Sequence, residues 1–229
     1  MVKLHTPEGE VHLKRTRSAR RMSLRISSLD RRITLSVPAH VSDRDAFRFL
    51  EDKQDWVRDQ LNALPERLPA SKLAEIEIEG RSFRLVGSTS TVATPSDDPT
   101  TILVPTAATN SGPALAAFLK DQARNRILER VAIATEALGV THSRVNLRDT
   151  RSRWGSCSHA GALMFSWRLI MAPSSVLTYV VDHEVSHLRH MDHSRAFWDT
   201  VRTLNPNYRV AQRWLKTNGA ALHRIDFRN

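Results

Sequence analysis

Two histidines and a glutamate occur together in the run His183-Glu184-Val185-Ser186-His187. On a helix, side chains four residues apart lie on one face, so both imidazoles can direct a nitrogen at the same ion. Glu184 lies on the adjoining flank, within reach of a water on that ion. Zinc binds imidazole and keeps an open coordination position in catalytic sites. It lowers the pKa of a water bound there, and a nearby carboxylate can then accept the proton of that water. The spacing therefore predicts a Zn²⁺ site in a hydrolase, with Glu184 activating the metal-bound water.

A catalytic zinc usually has a third protein ligand, and the chain offers three candidates after the motif, His190, Asp192 and His193. If the helix continued straight, His190 would lie about 10 Å along the axis from His183, too far for three ligands to meet. If the helix instead ends near His190 and the chain turns, His193 can approach the ion. We therefore prefer His193 to His190, and Asp192 stays a further candidate.

Apolar spacing predicts the elements that position these residues. Pro173-Ser174 should open the motif's helix, and Val180, Val181 and Val185 mark it as buried. Before it, a strand at 153–158 and a second strand should form a hairpin around 159–161. A long helix should begin at Pro113 and end at Gly139.

The first half of the chain is richer in predicted strands. Alternating apolar residues predict a hairpin over 24–37 with a turn at 29–31, and Ser42 with Asp45 predicts the start of a helix. A second hairpin should turn at Gly80. Strands and helices mixed without a βαβ rhythm predict an α+β fold. We expect a β-rich region with a helix over 1–110, then a small catalytic part over 111–229 with an active-site helix and an edge strand.

Charge and composition limit the partners and the location. The net charge of +10 over 229 residues favours an anionic ligand or nucleic acid, although the basic cluster at 14–21 lacks interleaved aromatic residues. No phosphate-binding glycine motif occurs. The single cysteine, Cys157, is expected to be a small buried thiol. With no apolar run suited to a signal peptide or a membrane span, we expect a cytoplasmic protein that does not enter a membrane.

Three runs of the sequence carry a resemblance to a known family: RSRWGSCS, SWRLIMAP and YVVDHEVSHLRHMDHSRAFW. They resemble the YgjP-like metallopeptidase family, which is loosely related to SprT-type zinc peptidases. The resemblance covers most of the chain and is most specific over 148–198. It implies zinc, a small zincin-like fold and an edge strand that binds a peptide or unfolded protein segment. It places His183, His187 and His193 on the metal ligands and Glu184 on the catalytic acid/base.

Two other functions remain as alternatives. Hydrolysis of a nucleoside triphosphate or another phosphoanhydride would suit the net charge and the arginines Arg148, Arg151, Arg153 and Arg168. A nucleic-acid-associated binding protein with structural zinc is the second, but structural sites usually take four protein ligands, mostly Cys. Tyr208 and His223 are candidates for stabilising an oxyanion. Phe197 and Trp198 are expected to lie in the core.

Overall fold

The computed structural model describes residues 2–7, 9–27, 31–63 and 67–228. Its fold mixes helices and sheets, which confirms the α+β class. The chain forms two compact units, Met1–Glu66 and Arg67–Asn229. This break in the packing lies before the boundary predicted at residue 110. The strands over 75–105 belong to the second unit, because the last of these strands contacts the longest helix of that unit. None of the described helices is long and apolar enough to cross a membrane.

The first unit is a four-stranded sheet covered by two helices. The strands, in the order β1-β2-β4-β3, are β1 (Val2–Thr6), β2 (Gly9–Thr16), β4 (Ile33–Pro38) and β3 (Ser23–Ile26). The predicted hairpin is confirmed, since β3 pairs antiparallel with β4 and Leu24 lies opposite Leu35. Of its predicted turn, residues 29 and 30 lie outside the described part of the chain. The helices are α1 (Asp43–Asp52) and α2 (Gln54–Ala63).

The predicted helix start at Ser42 is correct. Its hydroxyl accepts a hydrogen bond from the Asp45 backbone N–H at 3.1 Å and lies 2.6 Å from the Asp45 carboxylate. The first contact satisfies one of the backbone N–H groups that the first turn of a helix leaves without a partner, and in the second the hydroxyl donates to the carboxylate. The sequence predicts one helix in this region, but the helix that begins here is interrupted at Lys53, and a second one follows it.

The second unit holds three sheets. The first has the strand order β6-β7-β9-β8, the second the order β10-β12-β11, and the third pairs β5 with β13. The strands are β5 (Leu68–Pro69), β6 (Glu75–Ile78), β7 (Arg81–Ser88), β8 (Thr94–Pro95), β9 (Thr101–Pro105), β10 (Arg144–Arg148), β11 (Gly155–Cys157), β12 (Ala162–Ser166) and β13 (Ile225–Asp226). The hairpins predicted around 80 and 159–161 are both present as antiparallel pairs.

The helices of the second unit surround its core. They are α3 (Ala108–Leu138), α4 (Ser174–Ser186), α5 (Arg195–Leu204) and α6 (Tyr208–Asn218), with 3-10 helices at Ala70–Lys72, Trp167–Met171 and Gly219–His223. Helix α3 ends, as predicted, at Gly139, whose φ of 60° is the left-handed conformation that glycine adopts without strain. It begins at Ala108, before the predicted start at Pro113.

Helix α4 lies in the core against α3, with Val176, Val181 and Val185 at most 1% exposed. It also carries a fully buried carboxylate, Asp182. Arg130 on α3 donates a hydrogen bond to Asp182 at 2.7 Å, and the Asn205 amide donates another at 3.1 Å. A buried charge requires such partners, so these bonds join α4 to α3 and to the end of α5.

Replacing Arg130 by Ala should destabilise the protein by about 3 kcal/mol, because it leaves Asp182 buried without its cation. Urea unfolding followed by circular dichroism measures the loss. Arg124→Ala, at an exposed position of the same helix, is the control and should change the free energy of unfolding by less than about 0.5 kcal/mol. Equal effects of the two substitutions would show that the buried ion pair does not stabilise this helix contact.

Candidate metal centre

The chain leaves the helical path directly after the second histidine of the motif. Helix α4 ends at Ser186, with His187 as its C-cap, and the next helix begins at Arg195. The turn between them returns His193 toward His183, so that their Nε2 atoms lie 3.3 Å apart. One nitrogen from each of His183, His187 and His193 lies within 4.8 Å of the others. The structure thus brings together the three predicted ligands.

His190 takes part through its backbone. Its carbonyl oxygen accepts a hydrogen bond from Nδ1 of His187 at 2.9 Å. This bond fixes the imidazole as the tautomer whose Nε2 lone pair is available for an ion, as outer-shell partners of metal ligands commonly do. His183 differs, because its Nδ1 is buried and has no hydrogen-bond partner among the described residues. Asp192, the other candidate ligand, is exposed and accepts from the Ser194 backbone N–H at 3.2 Å.

The ring of Phe197 packs against all three imidazoles. Its centroid lies 4.4 Å from that of His187 and 4.9 Å from those of His183 and His193. Phe197 is fully buried, as predicted, so it holds the imidazoles together from the core side. Trp198 is only half-buried and lies at the side of the cluster, 5.7 Å from His183 and 5.9 Å from His193.

Burial favours the neutral form of two of the imidazoles, those of His183 and His187. It lowers the pKa of His183 to about 3, and the neighbouring His187 and His193 lower it further. Burial also lowers the pKa of His187. A neutral imidazole is the form that binds a metal, because the ion takes the lone pair that a proton would occupy. Three converging imidazole nitrogens therefore suit a borderline-soft divalent ion such as Zn²⁺.

Glu184 is buried beside strand β11. Only 7% of its surface is exposed, and this burial raises the pKa of its carboxyl to about 7, against the opposing charge of Arg153. A Cβ atom added at Gly155 would lie 2.5 Å from Cγ of Glu184 and 2.7 Å from Oε1. The backbone of β11 thus passes directly over the Glu184 side chain, which only a glycine permits.

Strand β11 lies at the edge of its sheet, where, within the described part of the chain, it pairs with β12 alone. The preceding residue, Trp154, packs its ring against Gly219 and against His223, whose ring centroid is 5.0 Å away. The segment is therefore an edge strand, as the resemblance implies, and the tryptophan before it packs against other residues of the chain. Cys157 is half-buried, and burial together with the charge of Glu184 raises the pKa of its thiol to about 11, as suits an inert thiol.

Three other residues singled out in the sequence make contacts with the protein itself. Arg168 is buried and donates to both carboxylate oxygens of Asp149, at 2.6 and 3.2 Å, and to the carbonyl of Leu222 at 2.9 Å. It is therefore a structural crosslink. Tyr208 stacks on Trp198 and on Tyr179, and both of these rings contact His183. His223 packs against Trp154.

Two features of the centre were not predicted from the sequence. The first is the Asp182 ion pair, directly before His183, and the second is the approach of Gly155 to Glu184. A charged residue within an apolar helix face is the sequence signal that indicates the first. A glycine inside a predicted strand indicates the second, since it commonly marks a close backbone approach.

Comparison with known proteins gives one family and one solved structure. The family model described as "YgjP-like, metallopeptidase domain" matches residues 20–218. No curated protein matches the chain. The crystal structure of the metallopeptidase zymogen of Pyrococcus abyssi abylysin is 19% identical over 40% of this chain and 93% of that one, with a TM-score of 0.36.

Replacing Gly155 by Ala should lower the free energy of unfolding by about 1–3 kcal/mol, because the new methyl group overlaps the Glu184 side chain. Chemical denaturation measures this change. Ser156→Ala, the next position of the same strand, removes one oxygen atom without creating a clash and serves as the control. An alanine at 155 that is as stable as the control would contradict the close approach of strand and carboxylate.

Proposed function

Because this chain belongs to the YgjP-like metallopeptidase family, we propose that it is a zinc-dependent peptidase whose general base is Glu184. The observation that carries the proposal is the convergence of three imidazoles next to the buried carboxylate of Glu184. The family supports the peptidase class, and the donor set supports the choice of metal.

His183, His187 and His193 would hold the ion. Three protein ligands are the number that catalytic zinc sites use, which leaves a position open. When bound, the zinc acts as a Lewis acid toward the substrate carbonyl and makes a water more acidic. The His190 carbonyl keeps His187 in the ligating tautomer, and Phe197 holds all three rings in place.

Glu184 would accept the proton of the attacking water and return it to the leaving amine. Its raised pKa, near 7, suits a group that must both take and give a proton. The Gly155 backbone limits where its side chain can lie, so the carboxylate is positioned before substrate binds.

The edge of β11 offers a place for the substrate. An extended chain can add to a sheet edge through main-chain hydrogen bonds, which favours peptides and unfolded segments over folded domains. A peptide bound there would run alongside Glu184, because β11 itself contacts that side chain. We therefore infer that unfolded protein segments are the substrate class. A reducing compartment, the cytoplasm, remains the proposed location, since the chain has a single cysteine.

The alternatives have less support. Among the arginines proposed to bind phosphate, Arg168 is already engaged by Asp149, which weakens the argument for a phosphoanhydride hydrolase. A structural zinc site would normally have a fourth protein ligand, and the candidate cluster found among the described residues has three.

The purified protein should contain about one zinc per chain, held by three histidines. His187→Ala and His193→Ala should each weaken zinc binding by more than the roughly 10- to 100-fold typical of losing an outer-shell partner. His190→Ala should bind zinc almost normally, because alanine keeps the backbone carbonyl that orients His187. Elemental analysis and chelator competition measure these affinities. If His190→Ala loses zinc and His193→Ala keeps it, the third ligand is assigned wrongly.

Glu184→Gln should keep its zinc and lose turnover on a denatured protein substrate by about 100- to 10,000-fold. Glutamine matches the shape of glutamate but cannot accept the proton of the attacking water. Zinc content is measured on the same sample, so loss of metal is not mistaken for loss of the base. A parallel assay with nucleoside triphosphate and Mg²⁺ tests the alternative. If the protein cleaves only the nucleotide, and Glu184→Gln abolishes this cleavage, the peptidase function is excluded while the proposed metal site still stands.

A further inference from the structure

An open groove of about 490 Å³ lies between α5 and α6, next to the histidine cluster. Two stacked aromatic rings form part of its lining, Trp198 and Tyr208, with centroids 5.3 Å apart and planes inclined by 21°. Trp198 also contacts His183 and His193, with centroid distances of 5.7 and 5.9 Å. A single aromatic ring therefore separates the groove from the candidate metal ligands.

Three arginines line the same groove. Arg195 and Arg202 come from α5, and Arg209 comes from α6. The one acidic residue in the lining, Asp199, pairs with Arg202 at 2.7 Å and lies 3.9 Å from Arg195. The lining thus keeps an excess of two positive charges. The side chain of Arg195 is 97% exposed, so it can reorient toward a ligand at little cost.

We propose that this groove is a specificity subsite that binds an acidic side chain of the peptide substrate. The proposal rests on the peptidase function inferred above. The guanidinium groups would bind the carboxylate, for which their planar donor geometry is suited. The methylene groups of a glutamate would pack on the Trp198 ring, which supplies apolar surface beside the charges.

An ordinary solvated helix face explains only part of this arrangement. Arg195, Asp199 and Arg202 follow a spacing of four and three residues, which is common for ion pairs on an exposed helix. It does not account for Arg209, which a second helix brings to the same groove, where its guanidinium lies 6.0 Å from the Tyr208 ring. Nor does it account for the aromatic lining next to the histidines.

The geometry also limits where the acidic residue stands in the substrate. The Trp198 ring is just under 6 Å from two of the imidazoles. Because an extended chain advances about 3.3 Å per residue, this distance corresponds to about two residues, so the carboxylate should be about two residues or more from the cleaved bond. The groove lies beside α5 and α6 alone, so we expect the preference on one side of that bond.

The test measures peptide binding to the zinc-loaded full chain carrying Glu184→Gln, so that substrate is not consumed. Fluorescent peptides carry one Glu, scanned over four positions on each side of a central bond, and each has a partner with Gln at that position. At one or two positions the Glu peptide should bind about tenfold more tightly, since each exposed charge pair contributes about two- to fivefold. The triple substitution Arg195→Gln, Arg202→Gln, Arg209→Gln should reduce the preference below about twofold.

Two further variants serve as controls. Arg213→Gln removes an exposed arginine of α6 that does not line the groove, and it should keep the preference. Asp199→Asn removes the carboxylate that competes for Arg202, and it should strengthen the preference about two- to fivefold. This gain keeps the test decisive even if the triple variant folds poorly.

Equal affinity for Glu and Gln peptides at every position, or a preference that survives the triple substitution, overturns the subsite. Cleavage of the same peptides by the wild-type enzyme is recorded in parallel. A binding preference without cleavage supports the subsite and contradicts the peptidase function. Cleavage of the peptides with no preference in either assay supports the peptidase function and contradicts the subsite.

Discussion

The burial of α4 is the constraint on which the candidate metal centre depends. The helix packs in the core through its valines, yet it also carries Asp182, His183 and Glu184. Removing such groups from water is costly unless each is neutralised or paired. Asp182 is paired with Arg130, the His183 imidazole is kept neutral, and burial raises the pKa of Glu184 toward neutrality. The burial of α4 therefore also favours the protonation states that the proposed metal binding and proton transfer would require.

The third histidine reaches the cluster because α5 starts immediately after it. Ser194, the residue after His193, caps α5 by accepting a hydrogen bond from the Phe197 backbone N–H. Phe197 in turn inserts its ring among the three imidazoles. One helix start thus positions both a candidate ligand and the aromatic ring that supports it. At its other end, α5 is followed by Asn205, which donates to Asp182, so both ends of the helix are tied to α4.

Local sequence patterns predicted most of the elements but not all of the contacts. The spacing of His183 and His187, the helix stop at Gly139 and the capping by Ser42 depend on neighbouring residues, and the structure contains each of them. The boundary at 110 differs from the break at 66, because the strands over 75–105 alternate apolar and polar residues whichever unit they join. The Arg130–Asp182 pair spans 52 residues, and no periodicity links such distant positions.

Gly155 connects the edge strand β11 to Glu184, the proposed general base. A side chain at this position of β11 would displace Glu184, so the absence of one allows the strand to lie against the carboxylate. A peptide added to the edge of β11 would follow at the usual spacing of about 4.8 Å between strands. Its backbone would then be positioned relative to Glu184 by main-chain hydrogen bonds alone, whatever its side chains. Selectivity among peptides would have to arise from side-chain contacts beyond this strand, and the groove beside Trp198 is a surface in the described chain that can supply them.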